Sequence, residues 1–141
     1  MNDQLKPPGQ ILLSEKQIQN RIQELGQKIT DDYENKVPLL IGVLKGAFIY
    51  MADLARAISL PVEFDFMAVS SYGNATKTSG VVRIVKDLDI DLSGRDVIVV
   101  EDIIDSGLTL NYLRKNLESR GPASLEAVSY THLTLPTKRI V

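Results

Sequence analysis

Glu101, Asp102 and Asp105 follow directly on four apolar residues, 97–100, and lead into Ser106-Gly107-Leu108-Thr109. Three carboxylates this close repel one another unless a cation lies among them or one stays protonated. Glu101-Asp102 at a strand end suits vicinal hydroxyls, a hydrated magnesium, or both, since magnesium takes one or two carboxylates plus substrate oxygens and water. The small polar turn that follows suits an anion. Successive backbone N–H groups between a strand and a helix start converge on a phosphate, and the Ser106 and Thr109 hydroxyls add donors. Gly107 permits close backbone approach, and Asp105 beside this cradle is placed to act as general acid or base. The plain alternatives are a solvated strand end, a helix cap and a tight turn. The three features together favour chemistry.

A second strand-to-helix junction lies at 42–47, "GVLKGA", where Lys45-Gly46 could meet another phosphate. Other chemistries are excluded or weak. The chain has no cysteine, which removes thiolate catalysis, thiolate metal sites and disulfides and is compatible with a cytoplasmic location. His132 is the only histidine. No G-x-x-x-x-G-K-[ST] or G-x-G-x-x-G is present. "DLDIDLSG" opens like a calcium loop, but Leu92 and Ile98 hold the positions that need glycine and glutamate, so a turn is expected. A net charge of −2 gives no basic footprint for nucleic acid, and no 18-residue apolar run suggests a membrane span.

The elements that must position these residues follow from apolar spacing. At 141 residues with 44% hydrophobic and 24% charged side chains, a single soluble domain is expected. "SEKQ" at 14–17 is a capping box with Ser14 as N-cap, and Ile18, Ile22, Leu25, Ile29 and Tyr33 then mark one helical face. Residues 37–44 read as a buried strand. A helix over about 46–59 should follow, with Phe48, Met51, Ala55 and Ile58 inward. Residues 61–69 alternate as a strand with Val62, Phe64 and Phe66 on one face, and the polar stretch 70–80 reads as an exposed loop. "VVRIV" resumes a strand, and 97–100 is a central one. A helix from about Leu108, with Leu110, Leu113 and Leu117 inward, should stop at Gly121-Pro122, before a last strand at "SLEAVSY". Alternating strands and helices imply an α/β fold with a mostly parallel sheet flanked by helices. Ligands in such sheets sit at the carboxyl ends of the strands, where Lys45-Gly46 and residues 101–109 lie.

The apolar run followed by Glu-Asp-x-x-Asp-Ser-Gly-x-Thr resembles the signature of the type I phosphoribosyltransferases. The Leu44-Lys45-Gly46 turn, "SSYGNATKTSG" and "VRIVKDLDIDLSGRDV" are similar to the branch that acts on hypoxanthine and guanine. The likeness covers roughly residues 8–128. It implies that Glu101 and Asp102 engage the ribose hydroxyls of phosphoribosyl pyrophosphate and its Mg2+, and that Asp105 faces the purine N7 as acid/base. It further implies that Ser106, Gly107, Leu108 and Thr109 hold the 5′-phosphate, while Ile104 borders the base. Lys45 and Gly46 would meet the pyrophosphate, and Ser71-Tyr72 would ride on a loop over the site. Homodimers or homotetramers are expected from the same likeness.

The likeness fails after residue 128. The purine-recognising lysine of the family falls near position 133, here Leu133, and Lys138 comes about five residues late. The expectation is therefore a core over 1–128, lacking the C-terminal part of the family fold, and a tail at 129–141 foreign to the family, either introduced at a cloning, assembly or frame junction or a genuine divergent terminus. Two other functions are compatible with the same residues: a phosphoribosyl-pyrophosphate-binding but inactive fragment, and an RNA-binding regulator on the same fold.

Overall fold

The capping box at Ser14 starts the first helix, α1 (Glu15–Asp32). In this computed structural model, which describes residues 14–44, 47–71, 82–101 and 108–129, the Ser14 Oγ accepts from the Gln17 amide at 3.1 Å. The Gln17 side chain accepts from the Ser14 amide at 2.8 Å. These two bonds satisfy donors that a helix start otherwise leaves open. The remaining elements are β1 (Leu39–Leu44), α2 (Ala47–Ala57), β2 (Glu63–Ser71), β3 (Val82–Lys86), β4 (Asp96–Glu101), α3 (Leu108–Glu118) and β5 (Ser124–Ser129). The five strands form one sheet in the order β3-β2-β1-β4-β5, parallel except for the β2–β3 pair.

Two apolar clusters cover the two faces of this sheet. On one face α1 and α2 bring Ile22, Ile29, Met51 and Leu54 against Leu40, Ile98 and Val100. On the other, Leu113 and Leu117 of α3 pack with Leu39, Ile41, Val97 and Val99. Hence β1 and β4, with neighbours on both edges and cover on both faces, read as unbroken apolar runs. The spacing predicted this for 97–100, and Leu113 and Leu117 are buried as expected.

One predicted face is corrected, and on β2 the structure adds a second buried face. On α2 the buried stripe is Ala47, Tyr50, Met51 and Leu54, with Ile58 just beyond. Phe48 is 58% exposed and Ile49 72%. Helical spacing alone permitted both stripes, and both include the Met51 that sits over Gly42; the contact of Ala57 with Gly26 of α1 favours the observed one. A Cβ on Gly42 would lie 2.7 Å from the Met51 sulfur and 3.1 Å from the Phe66 ring, so the bare backbone of β1 receives Met51. On β2, Phe66, with Val62 just before the strand, packs toward α1 and α2 as predicted, Phe64 of that face is 44% exposed, and Asp65 and Met67 are buried on the other face. The β3–β4 connection buries this second face, because it lays Leu88, Ile90 and Leu92 over it. That connection ends in the expected turn, in which the Arg95 amide bonds the Leu92 carbonyl and Gly94 adopts a φ of +71°.

Candidate active site

The strand order reverses between β1 and β4. From β1 the chain proceeds to β2 and β3 on one side, and β4 and β5 lie on the other. Crevices at such reversals, beyond the carboxyl ends of the strands, are where open α/β sheets hold ligands. Gly42 pairs with Val100, so Leu44 and Glu101 end adjacent parallel strands at the same edge of the sheet. Residues 45–46 continue directly from one, and 102–107 from the other.

Glu101 closes β4, pairs with Ser129 of β5 and is half-buried, with Oε2 shielded from solvent. Such a carboxylate is a hard oxygen donor, the type magnesium prefers, so this much of the donor set fits the ion that the sequence suggests. Leu108 and Thr109 form the first turn of α3. The opening amides of a helix lack intrahelical partners and carry its positive dipole end, and no acidic residue occupies that first turn. Ser71 ends β2 on the neighbouring side. The structure thus brings the bounds of the candidate site, Glu101, Leu108 and Thr109, to the edge where β1 ends. Lys45, Gly46, Tyr72, Asp102, Ile104, Asp105, Ser106 and Gly107 lie outside the described residues.

A cavity of about 230 Å³ lies at the opposite end of the strands, lined by Asp32, Tyr33, Lys36, Ser124 and Glu126. It joins the end of α1 to the start of β5 and takes no part in the site. Sequence reasoning missed one buried polar group, Asp65, on β2. Its Oδ2 accepts from the Asp89 and Ile90 amides at 2.8 and 2.9 Å, and Oδ1 from the Phe66 amide at 2.7 Å. An acid standing between two phenylalanines in a strand was the only available signal.

The family model for the phosphoribosyl transferase domain matches residues 10–133. The chain belongs to this family. Among its relatives, the hypoxanthine-guanine phosphoribosyltransferase of Mycobacterium avium is 58% identical over 127 residues, covering 84% of this chain and 63% of the relative. The Bacillus subtilis (strain 168) enzyme of the same name is 51% identical over 119 residues, covering 84% and 66%. The chain therefore spans a little under two thirds of the length of these curated relatives. Among solved structures, a hypoxanthine-guanine phosphoribosyltransferase from Bacillus anthracis, with HEPES in its active site, superposes with a TM-score of 0.81 at 45% identity. The match covers 85% of this chain and 71% of that one. The hypoxanthine phosphoribosyltransferase of Trypanosoma cruzi gives 0.79 at 42% identity, covering 86% and 67%. The parallel sheet with flanking helices is thus the family's fold.

Proposed function

We propose that this chain is the phosphoribosyl-pyrophosphate-binding part of a purine salvage enzyme, one that transfers the 5-phosphoribosyl group to hypoxanthine or guanine and releases pyrophosphate. The observation that carries the reading is the identity of more than half with hypoxanthine-guanine phosphoribosyltransferases across 84% of the chain. The convergence of Leu44, Glu101 and the start of α3 at one sheet edge supports it.

In the reaction, the bond from ribose C1 to the pyrophosphate oxygen breaks, a bond from C1 to a purine nitrogen forms, and the base loses a proton. Asp105 exchanges that proton with the purine as acid/base. Glu101 and Asp102 would hold the ribose hydroxyls and Mg2+. Magnesium, when bound, supplies positive charge that steadies the departing diphosphate. Ser106, Gly107, Leu108 and Thr109 hold the 5′-phosphate, Lys45 and Gly46 meet the pyrophosphate, Ile104 borders the base, and Ser71-Tyr72 flank the site. The protein acts in the cytoplasm as a homodimer or homotetramer; among the described residues no helix is long and apolar enough to cross a membrane.

The test is phosphoribosyl transfer to hypoxanthine and guanine in the presence of magnesium. Asp105→Ala should lower the rate by roughly 10²–10⁴-fold, the usual contribution of a positioned acid or base. Equal rates for the two proteins would remove Asp105 from the chemistry.

A further inference from the structure

The β2–β3 ribbon reaches beyond the rest of the sheet. Leu44, the last residue of β1, pairs with Ala68, so Val69, Ser70 and Ser71 have only β3 beside them among the described residues. Val100 and Phe66 both pair with Gly42, which sets Glu101 level with Met67. Ser71 stands four residues past Met67, roughly 13 Å at the ordinary rise of a strand.

Where the ribbon leaves the sheet, its ladder is irregular. Ala68 pairs with Lys86 but Val69 with Ile84, which leaves Val85 as an extra residue on β3. A bulge bends its strand and tightens the local twist, so it sets the direction of whatever lies beyond it. Lys86 ties this bulge down. Its ammonium donates to the Phe66 carbonyl of the facing strand at 3.1 Å and to the Asp87 carbonyl at 3.0 Å. The Asp89 carboxylate lies 3.9 Å away, and Asp65 anchors the Asp89 and Ile90 amides just behind.

We propose that Lys86 is a positioning residue. By bridging β3 to the backbone of β2 on the sheet side of the bulge, it fixes the direction of the overhanging ribbon, and hence where Ser71 stands relative to the ends of β1 and β4. The kinetic consequence rests on the phosphoribosyl-transfer reading; the structural one does not. Bulges and lysines on edge strands also discourage edge-to-edge association. A lysine serving only that end extends into water, whereas this one turns back onto two carbonyls with its side chain 45% exposed.

The absence of cysteine allows a clean test in the full chain. Spin labels placed through Arg83→Cys on the ribbon and Lys115→Cys on α3 should give one narrow distance distribution by double electron–electron resonance. Lys86→Met should shift or broaden it, and Lys86→Arg, which keeps donors able to reach both carbonyls, should restore it. In unlabelled protein, Lys86→Met should raise KM for phosphoribosyl pyrophosphate about tenfold with kcat little changed, since small misplacements weaken substrate contacts steeply. General loosening would not produce that split. Unchanged distances would overturn the proposal, and with new self-association they would make Lys86 an edge guard instead. A change that Lys86→Arg fails to recover would overturn it as well. If the unsubstituted chain transfers nothing, the reaction reading alone falls, and the distances still decide the role of Lys86.

Discussion

Asp65, with 6% of its surface exposed, is tolerated inside the sheet because three amides converge on its two oxygens. Two of those amides belong to the β3–β4 connection, so the carboxylate fastens a crossover that has no strand of its own. Asp65→Asn keeps the shape but turns an NH2 group toward at least one N–H. That substitution should lower the unfolding free energy by about 1–3 kcal/mol, measurable by urea denaturation. An unchanged midpoint would mean that the crossover holds without it. Alternation along β2 could not reveal this role, because the pattern records side-chain polarity and not which backbone amides arrive from 24 residues away. Tyr33 makes a second prediction. Burial first, and then the negative charges of Glu126, Asp96 and Asp32, push its phenol up to about 12, against a hydrogen bond with Ser124. An unfolded tyrosine ionises near 10, so between these values the unfolded chain gives up a proton that the folded one retains. The stabilisation is complete below pH 10 and is lost as the pH rises toward 12. Tyr33→Phe should flatten that decline. Tyr50, also raised by burial, keeps part of it in place. Urea midpoints taken on either side of pH 10 in the two proteins would show the difference, and parallel declines would contradict it.

At the scale of elements, α1 and α2 touch where α1 has no side chain. A Cβ on Gly26 would lie 2.5 Å from both the Cβ and the carbonyl oxygen of Ala57, and no rotamer relieves a clash with backbone. Thr30 fastens the same contact, donating to the Gly26 carbonyl at 2.8 Å and accepting from the Ser59 amide at 2.9 Å. Gly26→Ala therefore sets two effects against each other. Alanine gains about 1 kcal/mol of helix propensity, while forcing the helices apart typically costs about 1–3 kcal/mol. The expected result is a lower Tm by thermal unfolding, and a higher one would mean that α2 yields easily. Capping and periodicity made α1 legible from its first residue, since Ser14, Gln17 and the stripe from Ile18 to Tyr33 all state one helix. They could not orient α2. An apolar helix with Phe48, Ile49, Tyr50 and Met51 in succession offers several stripes, and the choice follows from contacts with another element, such as Ala57 against Gly26 of α1.

At the scale of the whole molecule, the candidate site is an edge to which distant parts of the chain contribute. The acidic signature could be read because its residues are consecutive, whereas the level of Ser71 beyond Glu101 depends on pairings among three strands that no local pattern encodes. A ligand spanning that edge would tie β1, β4 and the start of α3 together, and it must stabilise the folded state by mass action. At 100 times its dissociation constant the gain is about 2.7 kcal/mol. Phosphoribosyl pyrophosphate with magnesium should accordingly raise Tm by several degrees, and a chelator added beforehand should abolish most of the rise. Glu101→Gln should shrink the shift, because a neutral amide is a poorer donor to a hard cation. On the proposed reading, in which Asp105 acts on the purine and not on the sugar phosphate, Asp105→Ala should preserve it while lowering turnover roughly 10²–10⁴-fold. If the donor left Tm unmoved in chain with native-like circular dichroism, the carboxylates at this edge would need a different cation to explain them.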